Sequence, residues 1–243
     1  MTAPRFPGST AVSRLRVYDW EAEDGLCGGT PHLHTASSEA YVVTAGTGQV
    51  HTLAPEGEAV DALSPGSLLW FGPGTVHRLV NSGGLELVVV MQNSGLPEAG
   101  DAVLTFPAEV LADPDRYAEA VRLPRDAPEE HLAQAARARR DLAMRGYLHL
   151  VSAVRSEGPA ALEAFHRSAA ALVRPQVDRW RRIWEESVAR ETERTREQLT
   201  DLARGEPGIM GEAAVARPEP HPGPRRFGMC GRLRTWQMGD PPG

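Results

Sequence analysis

His32 and His34 stand at i and i+2 in Pro31-His32-Leu33-His34, and Glu39 follows five residues after His34. In an extended segment side chains alternate between faces, so the two imidazoles point the same way. Glu39 opens Glu39-Ala40-Tyr41-Val42-Val43, a run of β-formers that reads as a second strand. A third imidazole, His77, lies within Gly72-Pro73-Gly74-Thr75-Val76-His77-Arg78-Leu79-Val80-Asn81. Three neutral imidazoles and one carboxylate converging on one point form a mixed nitrogen and oxygen site suited to a divalent transition metal. A lone His-x-His pair is a weak signal, more often two ligand-free histidines. Adding Glu39 and His77 is a much stronger coincidence.

The surrounding chain reads as short strands. Val12 to Trp20 is the first. Gly46 and Gly48 break the next run as a tight turn would, and Gln49 to Leu53 returns as its hairpin partner. Ala54-Pro55-Glu56-Gly57 is turn chemistry. Ser67 to Phe71, Val76 to Val80 and Leu85 to Met91 follow, punctuated by Gly72-Pro73-Gly74 and Ser82-Gly83-Gly84. Many short strands with Gly/Pro turns mean a closed barrel or sandwich, whose mouth binds small molecules. Asp101 to Phe106 is expected to add one more strand against the outside.

At these residues the chain resembles the cupin superfamily. Its first motif runs Gly, then His-x-His, three or four residues, Glu, six residues, Gly; His32, His34, Glu39 and Gly46 fit that spacing, with Gly25 or Gly28 a slightly misplaced leading glycine. Its second runs Gly, five residues, Pro-x-Gly, two residues, His, three residues, Asn, and Gly66, Gly74, His77 and Asn81 match it in register. Gly72 stands where the family has Pro, and Ser67 where Asp often follows the first Gly; neither departure removes a ligand. The resemblance covers roughly residues 11 to 106. It implies a mainly β fold, a cupin jelly-roll-type β-barrel, with a chemistry drawn from dioxygenases, isomerases and epimerases, decarboxylases or non-catalytic binders.

If His32, His34, Glu39 and His77 bind one metal, a six-coordinate ion keeps up to two positions for water, dioxygen or substrate. The ligand set suits Fe(II), Mn(II), Ni(II), Cu(II) or Zn(II). Iron is favoured, because its open positions permit oxygen activation; zinc or manganese would act as a Lewis acid or generate hydroxide. No catalytic residue beyond the ligands stands out. Arg78 is expected outside the pocket by alternation with His77. Trp70, Tyr41 and Gln92 are candidates to line the barrel interior, with ordinary core packing as the plainer reading. Cys27 lies near His32 in sequence, but a buried thiol is the plainer reading for it and for Cys230. His51, His131, His149, His166 and His221 read as structural or exposed.

Near residue 107 the pattern becomes helical. Pro107-Ala108-Glu109 and Asp113-Pro114-Asp115 look like helix starts, with a short helix through Val121. Pro128-Glu129-Glu130 opens a long one, with proline in the first turn and two acids at the positive end of the dipole. Leu132, Ala136, Ala143, Tyr147, Leu150 and Val154 recur at helical spacing, and Gly158 stops it. Pro159 starts another, with Leu162, Phe165, Ala169 and Leu172 inward. A third runs from about Gln176 to Arg204, with Val177, Trp180, Trp184 and Val188 as its apolar stripe. This extension, 107–205, reads as a bundle against the barrel or a homodimer surface, with a regulatory or partner-binding module as the alternative. Residues 1–10 are a frayed lead-in. Residues 206–243 form a Pro-rich linker whose hydrophobic end, Phe227 to Trp236, is expected to dock back on the body, as a strand.

The formal net charge of -6 argues against a chain whose task is gripping nucleic acid. All 26 basic residues are arginine, which excludes Schiff-base and lysine-anchored pyridoxal phosphate chemistry. The Arg, Ala, Gly and Pro bias resembles a high-GC bacterial genome. Two cysteines are too few for a disulfide scaffold, no secretory h-region or membrane span is visible, and a cytoplasmic protein is the default. The sequence reads as a metal-dependent enzyme on a small polar metabolite held in the barrel, an oxygenase slightly ahead of an isomerase. The alternative is a small-molecule-binding or regulatory cupin without turnover. Removing residues 227–243 is expected to lower the melting temperature followed by circular dichroism; an unchanged value would make the segment a free tail.

Overall fold

The computed structural model describes residues 6–236; residues 1–5 of the lead-in and 237–243 of the tail lie outside the described residues. Strands β1 (Ala11–Val17), β2 (His32–His34), β3 (Glu39–Ala54), β4 (Gly57–Leu63), β5 (Leu68–Phe71), β6 (Val76–Met91) and β7 (Ala102–Leu104) make an antiparallel jelly-roll. Strands β3 and β6, 16 residues each, pair with one another along almost their whole lengths. Beside β6, β1 occupies the half from Glu86 to Met91, and β2 reaches it at His32–His77. Beyond β3, β5 lies against Glu39–Val42 and β4 against Gly48–Ala54.

The glycines expected to close tight turns do something else. Gly46 and Gly48 lie inside β3, and Gly83 and Gly84 inside β6, where the pairing slips between Val43 and Gly48. Gly46 has φ 71° and Gly84 φ 59°, and a Cβ on Gly46 would overlap the Gly84 carbonyl. Both strands therefore bend together across a bulge, and each serves both halves of the barrel without a reversal. The turn at Pro55 and Glu56 forms, and β4, which no sequence signal marked, is the strand it returns.

Alternation sorts the barrel's side chains. Leu15, Val17, Tyr41, Val43, Val50, Leu79, Leu85 and Leu87 point inward and are buried together. Leu33, Val76 and Val103 point outward and are buried by the helices. The helices are α1 (Ala108–Leu111), α2 (Pro114–Val121), α3 (Glu129–Glu157), α4 (Ala160–Val173), α5 (Val177–Trp184) and α6 (Arg190–Ala203). At Gly146 of α3 a Cβ would overlap the Thr105 carbonyl, so only glycine lets the helix come this close to the end of β7. Thr105 Oγ1 joins the two, 3.2 Å from the Pro31 carbonyl and 2.9 Å from that of Ala143.

Arg140 replaces an expected apolar residue on the buried face of α3 and is 1% exposed. Its guanidinium donates to the carbonyls of Trp20 (2.7 Å) and Glu21 (2.8 Å), tying α3 to the loop before β2. The last helical stretch is continuous, with a π turn at Glu185–Ala189 between α5 and α6. Its buried stripe is Trp180, Ile183 and Ser187, while Trp184, expected inside, is 44% exposed. Among the described residues no helix is long and apolar enough to cross a membrane.

The segment after the Pro-rich linker forms β8 (Arg226–Phe227) and β9 (Gly231–Arg234), and β9 pairs antiparallel with β1 from Arg14–Arg234 to Val17–Gly231. Phe227 stacks on Trp20 with ring centroids 6.2 Å apart, and Arg139 of α3 donates to the Gly228 carbonyl at 2.7 Å, pinning this segment to the chain after β1 and to α3. Gly46→Ala must strain φ and displace Gly84, and is expected to cost roughly 2–4 kcal/mol, lowering Tm by roughly 5–15 °C. Gly72→Ala, where a Cβ meets open space, is expected to stay within about 0.5 kcal/mol of the parent in the same melts.

Candidate metal centre

Inward alternation on three strands brings His32 and His34 of β2, Glu39 at the start of β3 and His77 of β6 to one place. One ligand atom from each lies within 4.8 Å of the others. His32 is 1% exposed, His34 and Glu39 6%, and His77 0%.

The outer nitrogen of every imidazole is already committed. His32 Nδ1 lies 2.9 Å from the Thr30 carbonyl, and His77 Nδ1 3.0 Å from the Thr75 carbonyl. A carbonyl only accepts, so both Nδ1 atoms carry the proton, and each Nε2 presents its lone pair inward. His34 Nδ1 lies 2.6 Å from Asp101 Oδ1, a carboxylate that is itself fully buried. Three rings are thereby fixed in one tautomer with their ligating atoms aimed at one centre. This is the arrangement by which proteins orient metal-binding histidines.

Glu39 Oε2 stands 3.0 Å from His77 Nε2 and 3.3 Å from His34 Nε2. Even so, Glu39 Oε2 and His77 Nε2 are both buried with no well-directed hydrogen bond. Two orphaned buried atoms facing each other are costly unless a third group sits between them. A cation about 2.1 Å from each donor satisfies both, so the residues fit a metal ion. The cluster can hold one.

The electrostatics of the bare cluster point the same way. Burial, then the charge on His77 and His34, holds His32 well below the usual imidazole value, ready as a neutral ligand. For His34 burial acts downward, but the bonds to Asp101 and Glu39 outweigh it and raise the imidazole to about 10. Burial likewise opposes ionisation of Glu39, but His77 and His34 hold its carboxyl well below the usual range. The cluster is an anionic carboxylate in search of cations.

Asp101 carries no sequence signal for this role. It precedes β7, which pairs with β2 at Leu33–Val103 and His34–Ala102, so the strand expected on the outside runs beside the ligand strand instead. The other candidates sit as follows. Tyr41 is fully buried below the cluster, its ring 6.5 Å from His77. Phe71, passed over in the sequence, packs 4.3 Å from the same imidazole. Trp70 is not inside: alternation with Phe71 turns it outward, 71% exposed. Gln92 is exposed at the end of β6, accepting from Ser38 N.

Arg78 points away from the cluster as alternation requires, yet it is fully buried, bound to Asp24 and to the Leu26 carbonyl at 3.1 Å. Cys27 is half-buried and Cys230 buried, where burial pushes its thiol well up. His51 is half-buried beside Gln49, and His131 and His149 are exposed. His166 of α4 differs from the surface role expected: its Nε2 meets the Gly74 carbonyl at 2.8 Å, and Gly74 N donates to the His34 carbonyl at 2.8 Å. Trp180 of α5 donates to Ala99 at 3.2 Å and packs with Leu96 and Ala36, the last in the loop between His34 and Glu39. Helices α4 and α5 thus fasten both loops that flank the cluster.

A family model described as Cupin matches residues 19–113, the segment that forms most of the barrel above. Solved structures similar to the chain include an uncharacterized conserved protein with a double-stranded β-helix domain from Klebsiella pneumoniae. The two share 19% identity over 38% of this chain and 73% of that one, with a TM-score of 0.30. An oxalate decarboxylase variant from Bacillus subtilis shares 18% over 46% of this chain and 28% of its own, with a TM-score of 0.35. A TDP-fucose-3,4-ketoisomerase from Campylobacter jejuni shares 12% over 32% and 58%, with a TM-score of 0.28. The chain thus spans less than two thirds of each of the last two. No curated protein matches it.

The raised His34 value has a defined sign. In the metal-free protein its stabilisation is complete below the ordinary value of 6.5 and is lost as pH rises towards about 10. Asp101→Asn removes one of the two hydrogen-bonded charges that raise it. In a metal-free NMR titration the His34 ring is expected to titrate well below the parent's value; an unmoved midpoint would show that Asp101 does not control it.

Proposed function

We propose that His32, His34, Glu39 and His77 hold a single divalent transition metal, Fe(II) favoured, and that the protein is an enzyme acting on a small polar metabolite. Oxygenase chemistry stands ahead of isomerisation. The observation that carries this is the committed Nδ1 atom on each of three imidazoles, with Glu39 Oε2 and His77 Nε2 left facing one another unpaired. When bound, such a metal supplies a Lewis acid and, if it is iron, a place for oxygen activation.

The chain's own residues do the rest. Asp101 orients His34, Phe71 and Tyr41 exclude water from the His77 side, and the slightly exposed edges of His34 and Glu39 are where a small molecule arrives. Burial first, and then the Glu39 charge, hold the Tyr41 hydroxyl well above its usual value. Tyr41 therefore keeps its proton near neutral pH and supplies no base, which sets isomerisation second. The near-complete burial of all four ligands favours one other reading, a small-molecule-binding cupin without turnover.

Elemental analysis of protein purified without added metal is expected to find about one equivalent of a divalent transition metal. His77→Ala is expected to retain less than about a tenth of it, and Asp101→Asn to bind about 10–100-fold more weakly in chelator competition. Reloading the stripped protein at pH 7.5 should release about one proton, from His34, in calorimetry across buffers of different ionisation enthalpy. Failure to recover metal on reconstitution would sink the enzyme reading. Oxygen uptake with a metabolite panel separates turnover from a ligand that only raises Tm.

A further inference from the structure

Each imidazole of the cluster is aimed by an acceptor on its outer nitrogen, and the three acceptors are held in different ways. Asp101, which serves His34, stands at the head of the strand that pairs with β2. The Thr75 carbonyl, which serves His77, belongs to a turn closed on itself by Thr75 N donating to the Gly72 carbonyl at 3.3 Å. The Thr30 carbonyl, which serves His32, lies in the peptide joining Thr30 to Pro31. Proline carries no N–H, so nothing on that peptide itself can donate a bond that fixes its direction. The acceptor is local; what holds it is not.

Support comes from the far end of the chain. Thr30 is fully buried, and both of its donors converge on the carbonyl of Met229, the backbone N–H at 3.1 Å and the hydroxyl at 2.8 Å. One residue earlier, a Cβ on Gly29 would lie 2.5 Å from Cys230 Cα, so the two backbones touch and glycine is required there. The Met229 segment is itself well seated. The Tyr18 hydroxyl donates to the Gly228 carbonyl at 3.0 Å, and Tyr18 N donates to that of Cys230 at 3.2 Å. The Met229 side chain packs against both the barrel core and the core beneath the helices.

We infer that the C-terminal segment around Met229 is a positioning element of the metal centre: through Thr30 it holds the carbonyl that orients His32. The inference rests on the metal reading of the cluster and gives the docked segment a task beyond stability. Thr30 is fixed at its N–H and hydroxyl, while Pro31 is fixed in φ and bonded at its own carbonyl by Thr105 N at 3.2 Å. Little freedom is left to the carbonyl between them. Without that hold it is free to turn, and the imidazole is then free to rotate or to carry its proton on Nε2, losing the inward lone pair. The coupling is reciprocal, so a metal that holds His32 also tightens Thr30 and the segment behind it.

The test strips the full chain with chelator, reloads it with Co(II), and compares hydrogen exchange of the two forms by mass spectrometry. Stripping is expected to speed exchange at least about fivefold in 28–33 and 226–236, and to leave β4 within about twofold. An equal loss in β4 is general loosening and overturns the inference, as does exchange in 226–236 that is the same in both forms. A chain that takes up no Co(II) overturns the metal reading itself, and the inference with it. Thr30→Val removes one donor to Met229 at nearly constant volume and is expected to weaken Co(II) binding about tenfold in chelator competition. Thr30→Ser, which restores the hydroxyl, is expected to bind within about threefold of the parent. A Thr30→Val protein that binds as the parent does overturns the inference, and so does a Thr30→Ser protein no better than Thr30→Val, which assigns the loss to packing. Should Thr30→Val not fold, the exchange comparison on the parent decides.

Discussion

Three hydrogen bonds on the far side of three imidazoles set what this barrel can hold. With Nδ1 of His32, His34 and His77 engaged by Thr30, Asp101 and Thr75, the rings can neither flip nor present the wrong nitrogen. Two of the acceptors are backbone carbonyls two residues before the histidine they serve. The ligand strands therefore orient their own side chains, and the site costs few additional residues. The third acceptor is a buried carboxylate from a different strand. It holds His34 well above an ordinary imidazole, so that a metal and a proton compete there.

Everything that keeps those bonds in place lies around them. Paired bends at Gly46 and Gly84 let β3 deliver Glu39 at one end and pair with His77 near the other. Gly146 lets α3 lie against the Thr105 carbonyl, and β7 is thereby pressed onto β2, with Asp101 at its start. His166 and Trp180 fasten the loops around Gly74 and Ala36. The helical part is thus more than an appendage: it anchors the backbone that positions His34 and His77.

Much of this was legible in the residues. Period-two alternation placed His32, His34 and His77 inward and Arg78 outward, and the switch from strand to helix near residue 107 follows from composition and proline spacing. What was not legible depends on partners that spacing cannot name. Asp101 matches no motif, and its role comes from a strand pairing across the sequence. Gly46 reads as a turn because a lone glycine run cannot show that Gly84 faces it across the sheet. Arg140 breaks an apolar stripe for carbonyls of a distant loop. Trp70 reads as a candidate for the barrel interior or core, although its neighbour Phe71 takes that face.

The Trp70–Phe71 pair ties the two faces of the barrel together. On a strand, adjacent residues point to opposite sides, so β5 carries an outward indole and, one position on, a ring against His77. Strand β5 is only four residues long and pairs along one edge with β3. Such a strand has little of its own to resist fraying. The packing of Phe71 against Tyr41 and His77 therefore does much to hold β5 in place, and with it the dry wall of the cluster. This short edge strand is thus tied to the body by the same ring that closes the His77 side of the cluster.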